Sequence, residues 1–274
     1  MVKLRHSLVR FFPVFLIFTQ MCFSYEQPPA MTLQSVGSYL NCLVASGPLL
    51  VAVGNSGAIL TSPDGLSWTS RVSTIQKHLT GVIWTGSQFI AVGLDGTVLK
   101  SLDGLSWESC GTGESTDLYG IVWTGRQFVI VGDSGKTFSS PDAKNWTFHP
   151  TGTDKLLKSV VWTGRQCIAV GNSGVILVSS DGNSWKCNSS VTKSSLNNII
   201  WTGSKIVAVS STMVFISSDG AVWKTYFPNS GINDLQSIAW TGKQNVVVGD
   251  YGVVFISEDG ISWFDHLLEI CLAH

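Results

Sequence analysis

The chain contains nearly the same seven residues six times, in the pattern Ser-x-Asp-Gly-x-x-Trp. The copies, called the seven-residue motif below, are Ser62–Trp68, Ser101–Trp107, Ser140–Trp146, Ser179–Trp185, Ser217–Trp223 and Ser257–Trp263. Their tryptophans follow one another at a nearly constant step. Self-similarity at a period of about 40 residues is typical of repeat architectures, in which each repeat is one supersecondary unit.

A second motif, Trp-Thr-Gly, alternates with the first. Its copies begin at Trp84, Trp123, Trp162, Trp201 and Trp240, with the same step each time, and the two motifs together contain all 11 tryptophans. One repeat, residues 79–110, holds four short strand-like runs separated by glycine-containing turns, and helical spacing of apolar residues is absent. The runs are Gly81–Trp84, Gln88–Val92, Thr97–Lys100 and Ser106–Cys110. Four short strands in each repeat of this length indicate the blade of a β-propeller.

The repeats predict the fold class and the domain boundaries. Six copies indicate an all-β, six-bladed β-propeller of four-stranded antiparallel blades over residues 39–266, with ~39-residue repeats. A lead-in, residues 25–38, precedes it and a tail, residues 267–274, follows it. Residues 30–37 or Leu267–Ala273 could add a strand that closes the ring. Repeat five lacks the usual Gly-x-x-Gly between its second and third strands, so a different turn is expected at Ser210–Met213.

The N-terminal segment, residues 1–24, is predicted to be a secretory signal peptide. A basic start, Lys3–Arg10, is followed by the apolar run Phe11–Phe18, and Ser24 is a small residue at a cleavage position. The apolar run is short for a membrane span, and Pro13 interrupts it. The expected location is therefore secreted, periplasmic or lumenal, with an uncleaved N-terminal membrane anchor as the alternative.

Charge and cysteine content exclude several classes of site. Without residues 1–24 the chain keeps 14 of its 17 Lys and Arg, because three lie in that segment, against 18 Asp and Glu. Mild acidity without a Lys/Arg cluster argues against a nucleic-acid partner. The cysteine spacing matches no metal motif, so no metal and no cofactor are expected. Cys42 and Cys271 could form a disulfide in an oxidising compartment, and buried free thiols are the alternative.

The seven-residue motif is expected to serve the architecture. Its Asp can accept hydrogen bonds from backbone N–H groups of the turn, and its Gly allows a positive φ, with Ala143 as the one exception. Its Trp can bury a large apolar area, and truncation to Ala would cost about 3–5 kcal/mol if the ring is fully buried. The residues assigned this structural role are Asp64, Trp68, Asp103, Trp107, Asp142, Trp146, Asp181, Trp185, Asp219, Trp223, Asp259 and Trp263.

The motif resembles the Asp-box of sialidase-type (BNR) propeller repeats. Together with Trp-Thr-Gly and Ala-Val-Gly-x-x-Gly, it is similar to propellers of the photosystem II assembly and stability-factor type. The resemblance extends over nearly all of the chain that follows the predicted signal peptide. It implies a non-enzymatic protein that binds partner proteins during the assembly of a membrane complex.

The residues of a hydrolase are not recognisable in the sequence. A sialidase holds the substrate carboxylate with three arginines, and after the predicted signal peptide the chain has only Arg71, Arg126 and Arg165. Arg126 and Arg165 occupy one equivalent position of two repeats, which is not a converging triad. Another glycoside hydrolase would need two carboxylates facing across a cleft, and no such pair stands out. Nucleophile, zinc and phosphate-loop motifs are also missing, so no catalytic residue is predicted.

The non-repeating residues concentrate in the predicted inter-blade loops. Loops on a rigid scaffold are the preferred place for binding residues. The candidates for partner binding are Lys77, His78, Glu114, Asp117, Tyr119, His149, Lys155, Lys158, Lys193, Tyr226 and Asn233. The leading hypothesis is a non-catalytic scaffold or assembly factor that binds a protein partner, with a membrane complex as one candidate. A glycan-binding propeller is the alternative, and a glycoside hydrolase ranks below it.

Overall fold

The computed structural model describes residues 39–188, 190–228 and 234–265. Over these residues the chain forms six four-stranded antiparallel sheets, each hydrogen-bonded in chain order. The predicted all-β, six-bladed β-propeller with four-stranded blades is confirmed. No helix in the described ranges is long and apolar enough to cross a membrane. The predicted signal peptide, lead-in and tail lie outside the described residues.

Each blade contributes four strands in the same order. The first strands are Leu40–Ala45 (β1), Leu79–Trp84 (β5), Leu118–Trp123 (β9), Leu157–Trp162 (β13), Leu196–Trp201 (β17) and Leu235–Trp240 (β21). The second strands are Leu50–Gly54 (β2), Phe89–Gly93 (β6), Phe128–Gly132 (β10), Cys167–Gly171 (β14), Ile206–Ser210 (β18) and Asn245–Gly249 (β22). The third strands are Ile59–Ser62 (β3), Val98–Ser101 (β7), Thr137–Ser140 (β11), Ile176–Ser179 (β15), Val214–Ser217 (β19) and Val254–Ser257 (β23). The fourth strands are Thr69–Arg71 (β4), Glu108–Ser109 (β8), Thr147–His149 (β12), Lys186–Asn188 (β16), Lys224–Tyr226 (β20) and Phe264–Asp265 (β24).

The second strands form the buried centre of each blade. Every residue of β2 (LVAVG) and β10 (FVIVG) is buried, and the sequences are almost continuously apolar. Such runs suit strands that are covered on both faces. The fourth strands are only two or three residues long and largely exposed. The apolar core therefore lies in the inner part of each blade.

Neighbouring blades are joined by apolar clusters that draw side chains from both sheets. Between blades two and three, Ile90 of β6 packs with Phe128 and Ile130 of β10. The rings of Trp123 and Phe128 lie 4.4 Å apart between centroids in the same cluster. Burial of aromatic side chains of this size supplies a large part of the stability of each interface.

The junction between blades six and one differs from the other five. Among the described residues its apolar side chains form two smaller clusters in place of one. These are Leu40, Ala52 and Leu60 on blade one, and Val246, Val248 and Val254 on blade six. The two segments predicted to close the ring, residues 30–37 and Leu267–Ala273, lie outside the described residues.

The seven-residue motif forms the turn between the third and fourth strands. In blade two, Oδ1 of Asp103 accepts hydrogen bonds from the backbone N–H groups of Leu105 and Ser106 at 2.8 and 2.9 Å. Oγ of Ser101 accepts the N–H of Gly104 at 2.8 Å and donates to the Asp103 carboxylate. The same two backbone bonds to the Asp carboxylate recur in the other five blades. The motif thus fixes the same turn six times.

The motif tryptophans are less buried than the sequence argument required. Trp107 is buried, and its Nε1 donates to the carbonyl oxygen of Gly104 at 3.0 Å. The other five motif tryptophans are only partly buried. A loss of about 3–5 kcal/mol on truncation to Ala was expected only for a buried ring, so it applies to Trp107 alone among the motif tryptophans.

The turn carboxylates make stability fall in acid. The backbone N–H groups of Ser184 and Asn183 lower the pKa of Asp181 to about 2, and the other five motif aspartates also have lowered pKa values. A carboxyl with a lowered folded pKa stabilises the fold above its unfolded pKa, and this contribution is lost as the pH falls through the folded value. We expect the free energy of unfolding, measured by urea titration, to fall as the pH drops from about 4 to about 2.

The variant Asp181→Asn isolates one of these carboxylates. It should be less stable than the wild type at pH 6, and the difference should shrink toward pH 2 because the wild-type carboxylate becomes protonated. Two stability curves that stay parallel over this range would contradict the assignment.

Blade five has the different turn that its sequence predicts. The N–H of Ser210 donates to the carbonyl oxygen of Met213 at 2.9 Å, and the N–H of Met213 donates to Oγ of Ser210 at 3.2 Å. The corresponding turn of blade one passes through Ser56, which has a positive φ of 54°. No residue of the blade-five turn has a positive φ, so this turn does not need glycine.

Candidate functional site

The inter-blade loops and the turns between second and third strands form one face of the propeller, called the inter-blade face below. The N–H of Gly96, in a second-to-third-strand turn, donates to the carbonyl oxygen of Thr116 in the next inter-blade loop at 2.7 Å. The N–H of Asp133 donates likewise to the carbonyl oxygen of Asp117 at 2.8 Å. These backbone bonds tie the loops to the blades, so the inter-blade face is held in place by the sheet framework.

The seven-residue motifs and the Trp-Thr-Gly turns form the opposite face, called the motif face. Nε2 of Gln127 in blade three donates to the carbonyl oxygen of Asp181 in blade four at 2.8 Å. Nε2 of Gln166 donates in the same way to Asp219 at 2.7 Å. Arg126 precedes Gln127 and lies in the same turn, on this face. The contacts of the motif face repeat from blade to blade, as expected for architecture.

Every first strand contains a β-bulge directly after its first residue. In β9, Leu118 pairs with Gly132 and Gly120 pairs with Val131, so Tyr119 is the extra residue. A bulge redirects one side chain out of the regular alternation of a strand. Successive first strands contact one another from β1 to β21, so they line the central channel. The six bulge residues, called the mouth ring below, are Asn41, Thr80, Tyr119, Lys158, Asn197 and Gln236.

Three neutral side chains of the mouth ring join one blade to the next. Nδ2 of Asn41 donates to the carbonyl oxygen of Leu79 at 2.7 Å, and Oγ1 of Thr80 donates to the carbonyl oxygen of Leu118 at 2.6 Å. Nδ2 of Asn197 donates to the first residue of β21 at 2.8 Å. These polar groups are used in holding the ring together and are less available to a ligand.

Lys158 is the one charged member of the mouth ring. Its Nζ donates to Oδ1 of Asn197 at 2.8 Å. The side chain is partly buried, and desolvation lowers the pKa of its ammonium group. No carboxylate within the described ranges lies at ion-pair distance from it. The ring therefore presents a partly desolvated cation beside neutral groups.

Tyr119 occupies the neighbouring ring position in blade three. Burial raises the pKa of its phenol, and the charges of Asp117 and Asp133 raise it further. The hydroxyl therefore stays protonated and remains a hydrogen-bond donor at neutral pH. Within the described part of the chain no hydrogen-bond partner of this hydroxyl is found.

Three of the predicted loop lysines and acids are engaged in ion pairs. Lys77 pairs with Asp95, Lys136 pairs with Glu114 at 3.1 Å, and Lys155 pairs with its neighbour Asp154 at 2.9 Å. Exposed pairs of this kind contribute about 0–1 kcal/mol. Their main effect is to neutralise the loops locally.

The remaining predicted loop residues differ in their roles. Oδ1 of Asp117 accepts the N–H of Asp95 at 2.9 Å, and Nδ1 of His78 accepts the N–H of Ser56 at 2.9 Å. Both side chains thus fix loop backbone on the inter-blade face. Lys193 is an exposed loop residue, and Asn233 lies outside the described residues.

Four residues predicted for the inter-blade loops lie on strands. Tyr119 and Lys158 belong to first strands, because the pairing of each first strand with its second strand begins at the leucine before the bulge, two residues earlier than the sequence predicted. His149 and Tyr226 are the last residues of fourth strands. His149 is bonded to Oγ of Ser139 through Nε2 at 2.8 Å, away from the channel.

Sequence reasoning missed the other members of the mouth ring. Asn41, Thr80, Asn197 and Gln236 were not among the candidates, although each follows the leucine that begins a first strand. A polar residue directly after this leucine in every repeat was the signal that could have identified them. It was hidden because its identity changes from repeat to repeat.

The described residues contain no group of side chains placed to bind a metal ion, and their cysteines are free thiols. No group of three or more His, Cys, Asp or Glu side chains there is placed to hold a metal ion. Cys42, Cys110, Cys167 and Cys187 are free thiols, and burial raises the pKa of Cys167 to about 12. Cys271 lies outside the described residues, so its disulfide with Cys42 stays a prediction.

A groove of about 320 Å³ lies at the outer side of blade two. Its lining comes from the motif turn Ser101–Trp107 and the flanking residues Lys100 and Glu108. The polar groups of this turn already bond to one another, so the groove adds no unused chemistry to the motif face.

Comparison with known proteins finds solved structures of similar fold. No family model and no curated protein matches the chain. A solved structure of YCF48 bound to D1 peptide is similar, with a TM-score of 0.68, 16% identity, and 82% of this chain and 80% of that chain covered. YCF48 from Cyanidioschyzon merolae gives a TM-score of 0.67 and 14% identity, with 84% and 85% covered. A catalytically inactive virginiamycin B lyase from Staphylococcus aureus, with quinupristin, gives 0.76 and 8%, with 87% of each chain covered.

These likenesses show the fold. At such low identities no functional residue can be transferred from them to this chain. Propellers of this shape also include both a peptide-binding protein and an enzyme. The chain is a β-propeller similar in fold to YCF48.

Proposed function

We propose that this protein is a non-catalytic propeller that binds a polypeptide segment of a protein partner at its inter-blade face. It would act outside the cytoplasm as an interaction scaffold or assembly factor. The signal-peptide pattern of residues 1–24 and the resemblance to assembly-factor propellers support this location and role.

The observation that carries the proposal is the contrast between the two faces. The motif face presents the same turn in every blade, whereas the mouth ring presents six side chains of five amino-acid types. A partner that binds in one orientation needs a surface that differs around the ring, and only the inter-blade face supplies it among the described residues. YCF48 bound to D1 peptide is an example of a similar propeller that holds a peptide.

Glycan binding is less well supported. A sugar site usually stacks the ring on an exposed aromatic side chain, and the tryptophans here pack into blade interfaces. The exposed phenylalanines Phe148, Phe227 and Phe264 lie on three different blades, at or next to the fourth strands. The membrane-complex partner and the Asp-box ancestry remain parts of the proposal that rest on sequence resemblance.

Affinity capture with matched variants tests the proposal. The protein from residue 25 onward would be immobilised and exposed to solubilised membrane and envelope extract, and bound proteins would be quantified by mass spectrometry. We expect Tyr119→Ala combined with Lys193→Glu to reduce recovery of a saturable protein partner about tenfold or more. Arg126→Glu combined with Lys243→Glu, on the motif face, should leave recovery unchanged.

Two outcomes would overturn the proposal. The first is a partner whose recovery depends on the motif-face variant and not on the inter-blade variant. The second is bound material that free sugars release with no specific protein retained, which would support glycan binding.

A further inference from the structure

Lys158 differs both from the ion-paired lysines of the inter-blade face and from Lys193, which is exposed. Lys77, Lys136 and Lys155 each have a carboxylate partner. Lys158 is more buried than a loop lysine and has only the amide oxygen of Asn197 at 2.8 Å. An ammonium group has three donors, so two remain unused.

A partly desolvated cation without a counter-charge is an unfavourable arrangement. No carboxylate of the described residues lies at ion-pair distance from Lys158, and desolvation lowers the pKa of its ammonium group. The equivalent positions of the other blades hold neutral Asn, Thr, Tyr and Gln side chains, so the charge is no requirement of the repeat. Its placement at the channel mouth instead suits an incoming anion.

Tyr119 supplies a second donor next to Lys158 along the ring. The strands β9 and β13 that carry the two residues are in direct contact. The phenol hydroxyl has no hydrogen-bond partner in the described portion of the chain, and its raised pKa keeps it protonated. The mouth ring thus combines one cation and one neutral donor on adjacent blades.

We infer that Lys158 and Tyr119 bind a carboxylate group of the peptide partner at the mouth of the channel. This inference rests on the proposed function, because the carboxylate belongs to the bound polypeptide. The ammonium group of Lys158 forms a charge-assisted hydrogen bond to one carboxylate oxygen, and the Tyr119 hydroxyl donates to the carboxylate from the adjacent blade. Asp117 and Asp133 lie on the Tyr119 side, so a singly charged carboxylate is favoured over a phosphate dianion.

Acetate is the simplest probe of this site. We would follow the lysine ammonium signals by NMR during titration with sodium acetate at constant ionic strength. The Lys158 signal should shift along a saturable curve, while Lys155, which already pairs with Asp154, should not saturate. Equal shifts at Lys158 and Lys155 would mean only general ion binding and would overturn the inference.

Peptides extend the test to the proposed partner. A set of short Gly/Ala peptides carrying a glutamate would be compared with the same peptides carrying glutamine, and free C-termini with amidated ones. Wild-type protein should prefer a carboxylate-bearing form about tenfold or more. Lys158→Gln should abolish this preference, Lys158→Arg should largely keep it, and Asp117→Asn should strengthen carboxylate binding.

Controls separate the failure of this inference from that of the proposed function. Lys243→Gln, on the motif face, should behave as wild type in the peptide test, and the melting temperature of each variant shows whether it is folded. If the Lys158→Gln protein captures the protein partner as well as wild type does, the proposed function stands and the carboxylate site is wrong. If no partner depends on the inter-blade face but acetate saturates Lys158, then Lys158 binds small carboxylates without binding a peptide partner. This result would contradict both the proposed function and the inference that the carboxylate belongs to the partner.

Discussion

Replacement of Phe128 by Ala should destabilise the protein by about 3–5 kcal/mol, the cost typical of removing a buried aromatic ring from a core. The Phe128 side chain is 0% exposed and lies in the apolar cluster between blades two and three. Its ring contacts those of Trp123 and Trp146, with centroids 4.4 and 6.3 Å away. Truncation would leave a cavity shared by two sheets, which the rigid blades cannot close. Urea titration or calorimetry would measure the loss.

Phe148→Ala is the matched control in the same blade. Phe148 lies on the outer strand β12 and is 46% exposed, with its ring 5.8 Å from that of Phe138. The expected loss is about 1 kcal/mol or less, because little apolar area is buried there. Equal losses for the two variants would show that stability does not reside in the blade interfaces.

Gly135→Ala should be the second large effect, with a loss of about 3 kcal/mol or more. Gly135 has a φ of +66°, which an L-residue adopts only at a cost. A Cβ atom at this position would also collide with the carbonyl oxygen of Thr153 in the adjoining inter-blade loop. Because that oxygen is backbone, the loop must move, so both the stability and the shape of the inter-blade face should change.

Gly125→Ala separates backbone strain from collision. Gly125 has a φ of +87°, and nothing lies within 4 Å of a Cβ atom built on it. Only the left-handed backbone cost of about 1–2 kcal/mol is expected. If thermal unfolding shows Gly125→Ala to be as damaging as Gly135→Ala, the close approach of the Thr153 loop has no energetic role.

The fold follows from the sequence because each repeat must solve the same packing problem. The Asp and Gly of the seven-residue motif specify one turn, and the continuous apolar run before it specifies a strand buried on both faces. Six copies of a four-stranded repeat at a nearly constant period are then compatible with few folds other than a propeller. The fourth strands were harder to place. In blade two a strand was expected over Ser106–Cys110, but Ser106 and Trp107 are held in the turn, and only Glu108–Ser109 is extended.

The candidate site is less predictable because it depends on what does not repeat. Tyr119 and Lys158 were identified as candidates from their variability, but they were assigned to loops. Their position in the mouth ring depends on a β-bulge, and a bulge is a feature of strand pairing that a single sequence does not reveal. Asn41 and Thr80 were missed for the same reason, although their hydrogen bonds join successive blades.

Site-specific photo-crosslinking tests the central claim most directly. A benzoylphenylalanine would replace Tyr119 at the channel mouth or Ser87 in the motif-face turn of blade two, and each protein would be irradiated in membrane and envelope extract. The account predicts covalent adducts to one polypeptide from position 119, suppressed by excess unlabelled protein, and none from position 87. Adducts from position 87 with none from position 119 would contradict it, because the partner would then bind the repeating face.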